Sequence, residues 1–482
     1  VRIRLVSRDP DKGYLGRQLW LPRKHINVPA VKSGLEFPVM GDDGIDWLQL
    51  WKDSGEHIIV PREFVRRERY EHLAFPVVDM GPTKYPRVDF KSNVALDYKT
   101  PDKDDQRRAF EAMKKTHGGI LNLACGKGKT VLALHHAAHR KVPAMVIVNN
   151  TTLMEQWPER INQFLHVPGG IGFVQGHPSK WDWEGRGIVI AMINSLALRH
   201  EEIPEGMDRY FGSIYYDEVH HLAAPLFSHT APMFFGARFG LTATVSREDG
   251  LEPVYKYHIG DVFHRDLSQE LKPRIYVQEA PVQVRTSDKE VSKEVFDKAG
   301  RLCIPKLRSY LGKLEENNEF IAEKLRVPLR SGRKVLALSH SVDQLRALSA
   351  MFPGSGLCTG REKPAARIET LKKCPIAFGT LQLVKEALDE DTLDTMFFLT
   401  PFGSSEIDEG GMGTMQQGMG RILRVRPGKK TPVMVIIDHI HVPSFHKMVR
   451  QMKNLLRHWP TEQGGPLEYT IIRPYATTGD TE

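Results

Sequence analysis

A chain of 482 residues is too long for one ordinary core and predicts two or three domains. Hydrophobic residues at 41% and charged residues at 26% give the balance of a fold in water, and no run approaches the roughly 18 apolar residues of a membrane span. Cys125, Cys303, Cys358 and Cys374 are scattered without metal-ligand or disulfide-framework spacing, while the net charge of +8 suits a polyanionic partner.

The opening, Val1-Arg-Ile-Arg-Leu-Val-Ser-Arg, is charged where a signal peptide would be apolar, so a cytoplasmic, reducing setting is expected. Residues 1–92 are rich in proline and hold Trp20, Trp47 and Trp51. They predict a small accessory domain, mixed or β-containing, that ends in the proline-rich stretch Phe75–Arg87. Basic and aromatic residues alternate in Arg17-Gln-Leu-Trp20-Leu-Pro-Arg-Lys and Arg66-Arg-Glu-Arg-Tyr70, a pairing that suits a grip on duplex or junction DNA, with service as a folding chaperone or interdomain brace for the following core as the alternative.

From residue 93 to 265 short apolar runs alternate with helix-length segments, the pattern of an α/β domain with a mainly parallel sheet. Gly118-Gly-Ile-Leu-Asn-Leu-Ala, Ala144-Met-Val-Ile-Val, Gly187-Ile-Val-Ile-Ala and Gly212-Ser-Ile-Tyr-Tyr read as its strands. After a junction near 261–275 a second series fills 266–482. Its strands are Lys334-Val-Leu-Ala-Leu-Ser, Ile376-Ala-Phe-Gly-Thr, Thr395-Met-Phe-Phe-Leu-Thr and Val433-Met-Val-Ile-Ile-Asp, with helices over 341–351 and 443–458 and a last strand at Leu467–Ile472. Two α/β domains in tandem follow.

The first strand runs into Leu123-Ala-Cys-Gly-Lys-Gly-Lys-Thr130. A loop between a buried strand and a helix aims backbone N–H groups and the positive helix end at one spot, where a polyphosphate binds. Gly126, Lys127 and Gly128 supply the loop, Lys129 reaches the terminal phosphates of ATP, and the Thr130 hydroxyl is placed for Mg²⁺. Leu123 stands where the usual pattern has its first glycine. Asp217 and Glu218 leave the end of a strand at the carboxyl edge of the sheet, with Asp217 suited to Mg²⁺ and Glu218 to orienting and deprotonating a water.

These motifs stand in one order with Thr242-Ala-Thr244, the Arg-Glu-Asp of 247–249 and Gln417-Gly-Met-Gly-Arg-Ile-Leu-Arg424. In that order the chain resembles the superfamily 2 DExH helicases, and the Arg-Glu-Asp looks like the xeroderma pigmentosum group B branch, to which phage UvsW-type recombination helicases are similar. The resemblance covers roughly residues 96–450. It implies two tandem RecA-like parallel-sheet domains with a small N-terminal accessory domain. It also implies that Gln106 reads adenine, that Gln417 joins the nucleotide site, and that Arg421 and Arg424 reach the γ-phosphate. Thr151 and Thr152 beside Gln156-Trp157, Ser195 in Ile193-Asn-Ser-Leu, Ser339 in Ser339-His-Ser-Val and Thr380 are by the same resemblance nucleic-acid contacts. One departure is Ala387, in Val384-Lys-Glu-Ala-Leu-Asp, where the family commonly has glycine.

The expectation is therefore a monomeric ATP- and Mg²⁺-dependent DNA helicase or translocase that unwinds or remodels forks and junctions. RNA helicase activity, and service as the motor subunit of a restriction or defence complex, are the alternatives. No membrane partner is expected.

Overall fold

The apolar runs that end in motifs become the inner strands of a seven-stranded sheet, in the order Ile171–Val174, Ile188–Met192, Ala144–Val148, Ser213–Asp217, Ala237–Thr242, Gly119–Leu123 and Val262–Asp266. Every neighbouring pair is parallel. The strands Gly119–Leu123, Ala144–Val148 and Ile188–Met192 are buried at every residue, because helices cover both faces of such a sheet. This computed structural model describes residues 8–41, 44–94, 101–124, 126–245, 247, 249–268, 272–362, 364–381, 383, 392–402, 415, 418–420, 422–423, 428–459 and 465–473.

A second seven-stranded parallel sheet follows, ordered Gly356–Cys358, Ile376–Thr380, Val335–Ser339, Thr395–Phe398, Val433–His439, Arg274–Ala280 and Tyr469–Ile472. The chain divides into two compact units, one of residues 1–123 and 127–266 and the other of residues 124–126 and 267–482. Within the junction expected near 261–275, Val262–Asp266 closes the first sheet and Arg274 begins the strand Arg274–Ala280 of the second. In the second unit the helix Pro443–Arg457 buries Phe445, Val449, Met452 and Leu456, an i, i+4, i+7, i+11 stripe, and brings Lys453 and His446 to the buried carboxylate of Asp438. The fold is α/β, two tandem RecA-like domains with a small N-terminal sheet region.

That N-terminal region contains a five-stranded sheet, ordered Lys52–Asp53, His57–Val60, Leu19–Pro22, Gly13–Leu15 and Val77–Asp79, and a hairpin of Glu36–Gly41 with Gly44–Gln49. Its Leu19, Leu21, Ile58 and Val60 join Phe211 and Phe234 in one continuous apolar core with the first RecA-like sheet. Two buried arginines stitch the seam. Arg62 donates to the carbonyls of Phe235 at 2.6 Å and Gly236 at 3.1 Å, and Arg238 donates to those of Arg17, Phe234 and His258. Burial, reinforced by the nearby Arg62 charge, pulls the Arg238 guanidinium down to about 9. Among the described residues no helix is long and apolar enough to cross a membrane.

Candidate nucleotide site

Strand order brings distant motifs to one edge. The strand ending in Thr242 lies between the strand ending in Asp217 and the one ending in Leu123, and the register pairs Asp217 with Leu241 and Thr242 with Asn122. Three strand ends are therefore level. Asn122 fixes one junction, donating from Nδ2 to the Thr242 carbonyl at 3.2 Å.

The loop after Leu123 turns through Gly126 at φ 85° and Gly128 at φ 86°, both left-handed, and Gly128 is the N-cap of the helix Lys129–Arg140. A Cβ on Gly128 would lie 2.7 Å from Gln106 Nε2, so the glycine serves both the turn and the close approach. Gln106 donates from that nitrogen to the Lys127 carbonyl at 3.2 Å, and Lys127 pairs with Asp266 at 3.2 Å. Lys129 Nζ donates to the carbonyl of Leu123 at 3.0 Å, and Thr130 stands half-buried in the first helical turn. Leu123, where the usual pattern has glycine, is a buried strand residue that serves this loop through its carbonyl.

Asp217 and Glu218 have opposite environments. Burial, then the neighbouring Glu218 charge, pushes the Asp217 carboxyl up to about 6, against the pull of the Trp157 indole and Lys129. Burial acts on Glu218 too, but Lys129, His220, His221 and the Thr242 hydroxyl together hold its carboxyl below the usual range. Glu218 is thus the better-ionised member, as a base requires. Its backbone is left-handed at φ 48° and ψ 60°, a conformation that costs a non-glycine residue roughly 1–2 kcal/mol. The turn aims the side chain back at Thr242, whose Oγ1 lies 3.3 Å from Glu218 Oε2, 3.1 Å from His220 Nδ1 and 2.7 Å from the Thr244 carbonyl.

Arg247, from the Arg-Glu-Asp stretch, donates to the His220 carbonyl at 2.8 Å and to Asp249 at 2.9 Å. It ties the segment after Thr244 to the Asp-Glu-Val-His turn, a role that spacing alone did not reveal. Trp157 was also visible only as a neighbour of Gln156. It reaches Asp217 across 60 residues because the strand preceding its helix, Ala144–Val148, pairs with the strand that ends in Asp217.

The expected nucleic-acid contacts differ in exposure. Thr151 is exposed at the start of the helix Thr151–Phe164, and Thr380 is half-buried at its strand end. Ser195 is half-buried and accepts the Gly176 N–H at 2.8 Å. Thr152 and Ser339 are buried, and Ser339 donates to Gln344 Oε1 at 2.6 Å and accepts the Ser341 N–H, so it organises its own turn. Gln417, Arg421 and Arg424 lie outside the described residues, as does 384–389 with Ala387. Met419 and Ile422, from the same motif as the arginines, are buried in the core of the second sheet.

The family model described as "Type III restriction enzyme, res subunit" matches residues 99–247. A putative ATP-dependent RNA helicase of Acanthamoeba polyphaga mimivirus is 25% identical over 419 residues, covering 84% of this chain and 75% of the relative. The DNA 3′-5′ translocase XPB2 of Sulfurisphaera tokodaii is 36% identical over 171 residues, 35% of this chain and 36% of the translocase. Among solved structures, a variant of Saccharomyces cerevisiae Dbp5 bound to RNA and ADP BeF3 aligns with a TM-score of 0.52 at 10% identity, covering 77% of this chain and 89% of that one, a likeness of fold. Two parallel sheets in tandem, the first carrying this edge, and relatives of these kinds set the class as a nucleic-acid-dependent ATPase. The chain is similar to superfamily 2 helicases, XPB-type enzymes among them.

Proposed function

We propose that the chain is an ATP-dependent DNA helicase or translocase that unwinds or remodels forks and junctions, using ATP with Mg²⁺ at the edge formed by Leu123, Asp217 and Thr242. The observation that carries the reading is the meeting of Lys129, Asp217, Glu218 and Thr242 at level strand ends. The residues suit the nucleotide and its metal: two left-handed glycines leave a phosphate loop open to backbone approach, Lys129 is bonded to the carbonyl of the strand end before that loop, and a half-buried carboxylate pair stands nearby. Thr130 and Asp217 would hold Mg²⁺, which when bound supplies charge neutralisation for the phosphates.

In this reading Gln106 and Lys127 brace the loop, and Gln106 faces the base of the nucleotide. Glu218 accepts the proton of the attacking water, with its carboxylate oriented by Thr242 and His220. Gln417, Arg421 and Arg424 complete the site from the second domain, where fixed guanidinium groups stabilise charge developing on the transferred phosphoryl group. Thr151, Thr152, Ser195, Ser339 and Thr380 are proposed along the strand path, with contact through the buried Thr152 and Ser339 requiring local rearrangement.

Support for DNA comes from the Arg-Glu-Asp stretch and the similarity to the XPB2 translocase. The mimivirus relative, matched over more of the chain, supports RNA as the second reading. ATPase stimulation by single-stranded DNA, duplex DNA, forked DNA and RNA, at matched salt, tests both. Stimulation by forked DNA with none by RNA is expected, and stimulation by RNA alone refutes the DNA reading.

A further inference from the structure

The indole of Trp157 is buried, 2% exposed, on the helix Thr151–Phe164. Its Nε1–H donates to Asp217 Oδ2 at 2.9 Å, while Asp217 Oδ1 accepts the backbone N–H of Glu218 at 3.2 Å. A carboxylate turns about a broad sp³–sp² torsion that has no sharp rotamer of its own. Two donors on opposite oxygens define its plane. The Glu218 donor sits on a left-handed residue next in sequence and moves with the strand end, whereas Trp157 comes from a separate helix with an N-terminus fixed by Asn150, whose side chain accepts the Leu153 N–H at 2.8 Å.

We infer that Trp157 is a positioning residue for the Asp217 carboxylate, holding it in the orientation in which it receives Mg²⁺ brought with the nucleotide. The inference rests on the assignment of Asp217 above. An indole N–H can be bonded in only one direction, and this one is spent on a carboxylate and not on the helix or on water. Its energetic role is specific for that reason: the large ring fills the core between helix and sheet, and the single polar atom addresses the site. Partners of metal-binding carboxylates typically carry about 10–100-fold of metal affinity.

The experiment measures binding without turnover. Anisotropy of a fluorescent ATP analogue, at a fixed subsaturating concentration with full-length protein, is titrated with Mg²⁺ from an EDTA baseline. Trp157→Phe keeps most of the ring volume and removes the donor. The Mg²⁺ midpoint should rise roughly ten-fold while metal-free binding of the analogue stays unchanged. If the phenylalanine variant does not fold, benzothienylalanine at position 157 replaces the N–H by sulfur in the same outline and should give the same shift. An unchanged midpoint in a folded variant overturns the inference, as does an equal shift in Met154→Leu, a buried, volume-conserving change on the same helix. Asp217→Asn separates the two claims: if it leaves the Mg²⁺ dependence intact, the metal assignment of Asp217 fails, whereas loss of that dependence there with none in Trp157→Phe leaves the assignment standing and removes only the role of Trp157.

Discussion

Replacing Glu218 by glutamine isolates the base from the binding site. The side chain keeps its length, its left-handed backbone and an oxygen able to face Thr242 Oγ1, 3.3 Å from Oε2 in the native carboxylate. What goes is the ionised acceptor that Lys129, His220, His221 and Thr242 hold below the usual carboxylate range. A positioned base is worth about 10²–10⁴ in rate, so turnover should fall by that factor, a barrier increase of about 3–5 kcal/mol. Affinity for ATP should hold or tighten, because one negative charge leaves the neighbourhood in which the phosphates bind. The assay pairs steady-state ATPase at saturating nucleic acid with equilibrium binding of a fluorescent ATP analogue, and Lys129→Ala is the contrasting arm, expected to weaken binding as well as turnover. Glu218→Gln with turnover within two- or three-fold of wild type would refute the assignment. Loss of binding comparable to that of Lys129→Ala would instead place Glu218 in the phosphate cradle.

The remaining expectations concern the second domain, the N-terminal seam and pH. Arg421→Ala and Arg424→Ala should each lower kcat far more than ATP affinity, near the lower end of the about 10³–10⁵ of an arginine finger because two arginines share the task, and normal hydrolysis in both single variants excludes the shared-site arrangement. Arg62→Ala leaves the carbonyls of Phe235 and Gly236 without their buried donor and should cost about 1–3 kcal/mol for each group left unsatisfied, read as a lower urea midpoint; a midpoint equal to wild type would show that the seam does not depend on it. Burial lowers His136 and His258 to about 3 and His439 to about 4, so these side chains are neutral in the native state while their unfolded counterparts bind protons below about 6.5. Because the unfolded chain then holds more protons, stability must fall as pH drops from about 6.5 toward the folded values, by about 2 kcal/mol per histidine at pH 5, and urea melts at pH 8 and pH 5 should show it, His258→Leu recovering one share; a pH-independent midpoint contradicts this.

Much of the fold was legible because a parallel sheet covered on both faces demands apolar strands, and Ala144–Val148, Ile188–Met192 and Val335–Ser339 are such runs. Strands with mixed sequence escaped: Ile171–Val174 holds a glycine and an exposed Phe173, and Val262–Asp266 is partly exposed at the sheet's edge, where no neighbour enforces a hydrophobic face. In the N-terminal region the sequence shows interleaved arginines and aromatics, but not which of its charges are buried or what core it shares. In the structure Arg62 is spent on backbone carbonyls of the motor domain, and Leu19 and Val60 lie in the same core as that domain's strands. Composition counts charges without knowing which are buried. An arginine beside an aromatic residue has the same composition whether it meets a phosphate or a carbonyl.

The site divides along the same line. Residues whose chemistry is local, the glycines and Lys129 of the loop and the adjacent carboxylates Asp217 and Glu218, were readable because their spacing is fixed by one turn of chain. Residues that act across strands were not: Asn122 on the Thr242 carbonyl, Arg247 on the His220 carbonyl and Trp157 on Asp217 depend on the strand order, which places Thr242 between the other two strand ends. The pKa contrast within the carboxylate pair belongs to this second group. Sequence gives two neighbouring acids; only the placement of Lys129, His220, His221 and Thr242 around Glu218, and the burial of Asp217 beside the Glu218 charge against the opposing pull of the Trp157 indole, make Glu218 the better-ionised of the two.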